Sequence, residues 1–271
     1  MADKVKSSFQ LAVLLISVKL VLASPRAPSM AAIDQRSCAN NIERPTRIDM
    51  EETPVDQLVN TGDSVELTCI AYAAPQAIIR WLHNGQPVGE VGSEEMNKFE
   101  RVIMKGQAQI GSSITASVLP LDCVDGSKTG VYTCVVDNGC HEATFNAVVA
   151  IAEQAGNDCE MDDRGDQAPK ITTWTDTRIE HNSAYAQLYC RARGNPKPKV
   201  TWAVVNDEDV NNMVVNELKD VDNVEEVLSL PNGDLLVGPK FKADGGATIF
   251  RCRAENNRGH ATKDIVLVEV V

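Results

Sequence analysis

Cys69-Ile70-Ala71-Tyr72-Ala73-Ala74-Pro75-Gln76-Ala77-Ile78-Ile79-Arg80-Trp81 returns as Cys190-Arg191-Ala192-Arg193-Gly194-Asn195-Pro196-Lys197-Pro198-Lys199-Val200-Thr201-Trp202, offset by 121 positions in the form C-x5-P-x5-W. A second cysteine closes each copy, with Cys134 65 residues after Cys69 and Cys252 62 residues after Cys190. A repeat of this period means two copies of one domain-sized module.

Around these anchors the chain alternates at period two, as half-buried strands do. Ser64 to Ile70 places Val65, Leu67 and Cys69 on one face, and Ile79 shares a face with Trp81 before the turn residues Asn84-Gly85-Gln86-Pro87. Ala116 to Asp122, with Leu119 and Leu121 inward, precedes Gly130-Val131-Tyr132-Thr133-Cys134; Asn138-Gly139 then turns into a strand over Glu142 to Ile151. The second copy reads the same way over Ala184 to Arg191, Lys199 to Val204 and Leu235-Leu236-Val237. Cysteine, tryptophan and cysteine at this spacing are the framework of an immunoglobulin sandwich, where the tryptophan covers an inter-sheet disulfide. Disulfides Cys69–Cys134 and Cys190–Cys252 are therefore expected, each contributing on the order of 4 kcal/mol. Trp81 and Trp202 are the expected core residues. Tyr132 holds the tyrosine-corner position; Phe250 holds it in the second copy, without a hydroxyl.

The fold expected is all-β: two tandem immunoglobulin β-sandwiches after a cleaved signal peptide. The reading divides the chain into a signal (1–23), a leader (24–44), a first domain (45–153), an acidic linker (154–167) and a second domain (168–271). Lys4 and Lys6 precede the apolar run Leu11 to Leu22, which is short for a bilayer span, carries Lys19 and ends at a small residue. Localisation is thus expected to be secreted and extracellular, with no membrane insertion. Loss of the signal removes Asp3, Lys4, Lys6 and Lys19, taking the formal charge from -12 to -14. So acidic a surface repels nucleic acid and anionic membranes.

In an oxidising compartment all eight cysteines should pair. Strand direction puts Cys38 and Cys140 at one end of the first sandwich and Cys123 and Cys159 at the other. The two ends are roughly 20 Å apart, beyond the reach of a disulfide. The expected extra bonds are Cys38–Cys140, clamping the leader, and Cys123–Cys159, fastening the linker; pairing between two chains is the alternative.

Catalytic and cofactor signals are missing from the sequence. His83, His141, His181 and His260 lack metal-ligand spacing, and no P-loop, G-x-G-x-x-G or G-x-S-x-G occurs. The expectation is no enzyme and no cofactor. Arg164-Gly165-Asp166 in the linker has the form of an integrin motif, a three-residue match that chance often supplies.

The second copy also carries Ala192 to Trp202, Asn232-Gly233-Asp234-Leu235-Leu236, and Cys252-Arg253-Ala254-Glu255-Asn256-Asn257-Arg258-Gly259. This resembles an I-set domain of the secreted two-immunoglobulin proteins, the nematode "zwei Ig" group and the insect insulin-binding neural and ectodermal development factor. The first copy matches at framework level, with His141 standing where the second has Gly259 and Lys128 where an aspartate is common. The resemblance implies binding of extracellular or cell-surface proteins, with adhesion and maintenance of axon and neuron position in the nervous system. The alternative it implies is sequestration of an insulin-like peptide, which would call for an exposed apolar patch on one sheet, either within one domain or shared between the two.

Overall fold

The computed structural model describes residues 46–88, 111–152, 167–205, 219–220, 226–239, 241 and 245–271. The signal, the leader with Cys38, and linker positions 154–166 with Cys159 and Arg164-Gly165-Asp166 lie outside the described residues. The first repeat supplies β1 (Arg47–Glu52), β2 (Gln57–Val59), β3 (Val65–Ala74), β4 (Ile78–His83), β5 (Gln86–Pro87), β6 (Ser112–Leu121), β7 (Gly130–Asp137) and β8 (Glu142–Ile151). The second supplies β9 (Gln167–His181), β10 (Ala186–Leu188), β11 (Cys190–Asn195), β12 (Lys199–Val205), β13 (Lys219–Asp220), β14 (Val227–Ser229), β15 (Leu235–Val237), β16 (Gly246–Asn256) and β17 (Gly259–Val270). The one helical turn among the described residues is the 3-10 turn Gly126–Lys128.

In the first module β1-β3-β6 faces β2-β8-β7-β4-β5. The alternation that makes β3 a strand turns Leu67, Cys69, Ala71 and Ala73 into a shared core with Ile79, Trp81, Tyr132 and Val136. Trp81 stands directly across from Cys134, whose disulfide to Cys69 joins the two sheets at a Cα separation of 6.5 Å. The second module repeats this with Trp202 across from Cys252 and a Cys190–Cys252 bond of the same Cα separation. The Tyr132 hydroxyl donates to Lys128 O at 2.8 Å, while Phe250, fully buried, packs near Phe241 instead. Burial, then the charge of Asp125, pushes the Tyr132 phenol up. Lys128, the departure from the usual aspartate, donates its ammonium to Asp122 O and Cys123 O.

Asp234, which closes the turn before β15, is a fully buried hub. Its carboxylate accepts from Cys190 N (3.2 Å), Gln187 Nε2 (3.1 Å), Asn232 Nδ2 (2.7 Å) and Arg191 Nη2 (2.8 Å). The preceding Gly233 has φ 99°, and a Cβ there would strike Cys190 O, so the turn needs glycine. The strand expected over Ala184 to Arg191 is broken at Tyr189 into β10 and β11, because β9 bonds around that residue: Thr175 N donates to Tyr189 O and Thr175 Oγ1 accepts from Tyr189 N.

The two modules are not beads on a string. β9 is 15 residues long; its first half pairs with β11 and its last part runs parallel to β17. Its other edge pairs antiparallel with β6 of the first module from Ser112↔Ile179 to Ser117↔Thr173. A nine-stranded sheet results, with the path β1-β3-β6-β9-β17-β16-β12-β13. In an immunoglobulin sandwich strand E is flanked by B and D. Here, over Ser112–Ser117, the first strand of the next module fills the place beside β6 that D would take.

Candidate interaction surface

The joint is built by side chains on both faces of β6. Ile70, Ala116 and Val118 leave their own module and pack into the apolar cluster of the second, with Ile171 and Trp174. Lys263 Nζ, on β17, lies 4.0 Å from the Trp174 ring centroid. On the other face, Trp81 Nε1 donates to Ser117 Oγ (3.0 Å), and Ser117 Oγ donates to Thr172 O (3.2 Å), so the first core is bonded to the second module. Gln76 Nε2 donates to Thr175 Oγ1 at 3.0 Å in a buried contact. At the rim Lys170 meets Glu66 (3.4 Å) and Asp122 (3.3 Å), and Arg193 donates to Pro120 O (3.1 Å). The rim pairs are solvated and worth little. The ladder and the apolar contacts hold the joint.

A bulge at Ile114/Thr115 lets β9 pass from one sheet of its module to the other while staying paired with β6. The outward faces of the two modules thereby become one. Register partners give a single cross-strand row, Tyr72–Ile114–Thr177–Val266–Ile249–Val205, through six strands. A second row runs Ser112–Ile179–Val268–Ala247. At strand spacing of about 4.8 Å the first row is roughly 24 Å long. Ile179 is 40% exposed and Val270, two residues beyond Val268, is 39% exposed. The band is bounded by charge: Arg47 lies 4.5 Å from the Tyr72 ring centroid, and Arg251 bonds Asp264 through Nε and Nη2, both at 2.6 Å. The bond to Asp264 raises the Arg251 pKa. Beyond it Arg253 holds the exposed Glu255 carboxyl below the usual range.

A second apolar group lies on the five-stranded sheet of the first module, where Val131 pairs with Val148 and the exposed Leu58 with Ala150. The other end of that sheet is closed by Arg80 Nη2, 2.6 Å from Glu142, beside the buried Val135.

Among the described residues no group of three or more His, Cys, Asp or Glu is placed to hold a metal ion, and no helix is long and apolar enough to cross a membrane. His83 Nε2 donates to Thr129 O and the ring stacks on Tyr132, His141 contacts Thr46, and His181 contacts Ser183, each a local structural role. Cys123 and Cys140 are disulfide-bonded. They lie beyond opposite ends of β7. Sequence reasoning missed the joined face, Asp234 and the buried charges of β9.

Comparison with known proteins agrees with the fold. Residues 47–138 match the immunoglobulin domain family. The chain is 28% identical to Zwei Ig domain protein zig-4 of Caenorhabditis elegans over 263 residues, covering 94% of this chain and 96% of that protein. It is also 28% identical to Zwei Ig domain protein zig-3 of the same organism, over 91% of this chain and 94% of that one. Among solved structures it is similar to neural ectodermal development factor IMP-L2, with TM-score 0.62 and 22% identity, covering 84% of this chain and 97% of the other.

Proposed function

We propose that the chain is a secreted, non-catalytic binding protein that recognises an extracellular or cell-surface protein through the joined outward face. The observation that carries this reading is the apolar band from Tyr72 to Val205, which neither module could present alone. The side chains of the row are half-buried, with Ile179 40% exposed beside them, and a contiguous apolar face of this kind is where a folded protein commonly meets a partner. A setting in nervous-system development, or in keeping axons and neurons in position, follows the family resemblance and not any residue of the face.

Capture of an insulin-like peptide is the second reading, and the shape of the band favours it. Two rows of side chains, the longer about 24 Å, suit a small partner better than a large domain, which commonly buries about 800 Å² on each side. Both readings place the contact at Ile179. Ile179→Asp should weaken binding at least about 30-fold, the effect of losing a hot spot of about 2 kcal/mol. The check is immobilised protein against extracellular partners that include insulin-like peptides, with circular dichroism confirming the fold. Val131→Asp, on the apolar group of the five-stranded sheet, should leave affinity unchanged. Equal loss from both variants, or none from Ile179→Asp, contradicts the assignment.

The reading also keeps the pairing of Cys38 with Cys140 and of Cys123 with Cys159. Non-reducing peptide mapping should recover these two crosslinked pairs; a Cys38–Cys123 or intermolecular product contradicts it.

A further inference from the structure

The apolar group on the five-stranded sheet of the first module lies beside an open strand edge. Asn138 N donates to His141 O, so in this antiparallel register the odd-numbered residues of β8 are those bonded to β7. The even-numbered residues turn their N–H and C=O the other way. Val148 N is met there by Asp56 Oδ1 at 2.8 Å, and β2 takes over from Val149 to Ile151. Among the described residues no strand pairs with the outer edge at Glu142, Thr144 and Asn146. Beyond this stretch Val55 (63% exposed), Leu58 (72% exposed), Val131 and Val148 are open to solvent. An uncovered edge next to exposed apolar side chains invites pairing with another strand, and folded proteins cover such edges or blunt them.

The leader enters the module at this edge. Thr46, the first described residue, meets His141 Nε2 through its hydroxyl at 2.7 Å, next to the disulfide-bonded Cys140. With Cys38 bonded to Cys140, counting both ways from the bond along an antiparallel strand sets Arg36 beside Glu142, Asp34 beside Thr144 and Ala32 beside Asn146. Ile33 then falls beside the half-buried Phe145, and Met30 reaches the exposed Val148. We infer that residues 30–36 of the leader add a strand to the open edge of β8 over 142–146 and lay Met30 on the apolar group beyond it. Pro28 and Pro45 bound the segment, since neither can donate to a ladder. Charge favours this occupant: residues 24–44 hold 3 arginines against 2 acidic residues, whereas 45–153 hold 6 Lys and Arg against 15 Asp and Glu. The acidic module attracts the leader and repels a second copy of itself. A segment tied at Cys38 and at Thr46 also acts at an effective concentration on the order of mM, ahead of any free chain. This strand needs the Cys38–Cys140 bond and does not involve the joined face.

The test is residue-resolved amide exchange on the intact protein and on a variant lacking residues 24–36, which keeps Cys38. One net hydrogen bond per amide should make Thr144 N and Asn146 N exchange at least about tenfold more slowly in the intact protein. The amides of Ala143, Phe145 and Ala147, which face β7, should exchange alike in both. The double variant Ala32→Pro with Asp34→Pro keeps the leader's length and removes two of its N–H donors, and it should lose the same protection. Equal rates at Thr144 and Asn146 with and without the segment overturn the strand. So does protection that survives the deletion and rises with protein concentration, which assigns the edge to a second copy. Peptide mapping of the same samples separates two ways of failing. Cys38 found bonded elsewhere removes tether and strand together, whereas a Cys38–Cys140 peptide with fast amides removes the strand alone.

Discussion

Arg178→Met is expected to destabilise the protein by about 3–5 kcal/mol, the usual consequence of removing one partner of a buried ion pair. Glu180, 1% exposed, would keep its carboxylate without the guanidinium that now bonds it, and among the described residues its one other donor is His181 N at 3.1 Å. The damage would fall on the joint, since both flanking strands of β9 meet there. Urea unfolding measures it. The double variant Arg178→Met with Glu180→Leu should recover a large part of the loss, because a buried ion pair replaced by apolar groups of similar volume is often close to neutral. A single variant that loses less than about 1 kcal/mol would mean that water reaches the pair.

The second large effect belongs to Asp234. Asp234→Ala removes the acceptor for Cys190 N and Gln187 Nε2 and the counter-charge of Arg191, whose side chain is 13% exposed. The expected loss is again about 3–5 kcal/mol. Asp234→Asn, which keeps the shape and one acceptor oxygen, should cost less. Because Cys190 N is bonded directly to this carboxylate, the loss should appear in the second module's tryptophan environment. Equal stability of the alanine variant would contradict the hub.

What the sequence revealed, and what it hid, divides by the range of the interaction. Trp81, Cys134 and Tyr132 sit at fixed offsets along the chain, and those offsets follow from strand geometry within one module, so spacing alone placed them. The β6–β9 pairing is made of backbone groups, which every residue carries, and its partner choice leaves little mark on side-chain pattern. Some marks were present. Ser113, Thr115 and Ser117 alternate along the core side of β6, where a strand flanked only by its own sandwich would carry larger apolar residues, and they are buried because β9 adjoins them. Arg178 and Glu180, two apart in a strand, read as a solvated face when seen alone. They are buried because β6 covers the edge that the sequence left open. The apolar band was legible only as a requirement of the peptide-binding alternative. Its residues come from six strands of two repeats, and no window of sequence brings Ile114 and Val266 together.

Amide hydrogen exchange over Ser112–Ser117 and Thr173–Ile179 tests most directly whether the two modules are one body with one face. If β6 and β9 share a ladder, all amides in both segments exchange as slowly as those of Phe250–Ala254 and Ile265–Leu267 in the middle of the sheet. If the modules move independently, β6 is an edge strand, and alternate amides along it exchange at rates close to those of open loops.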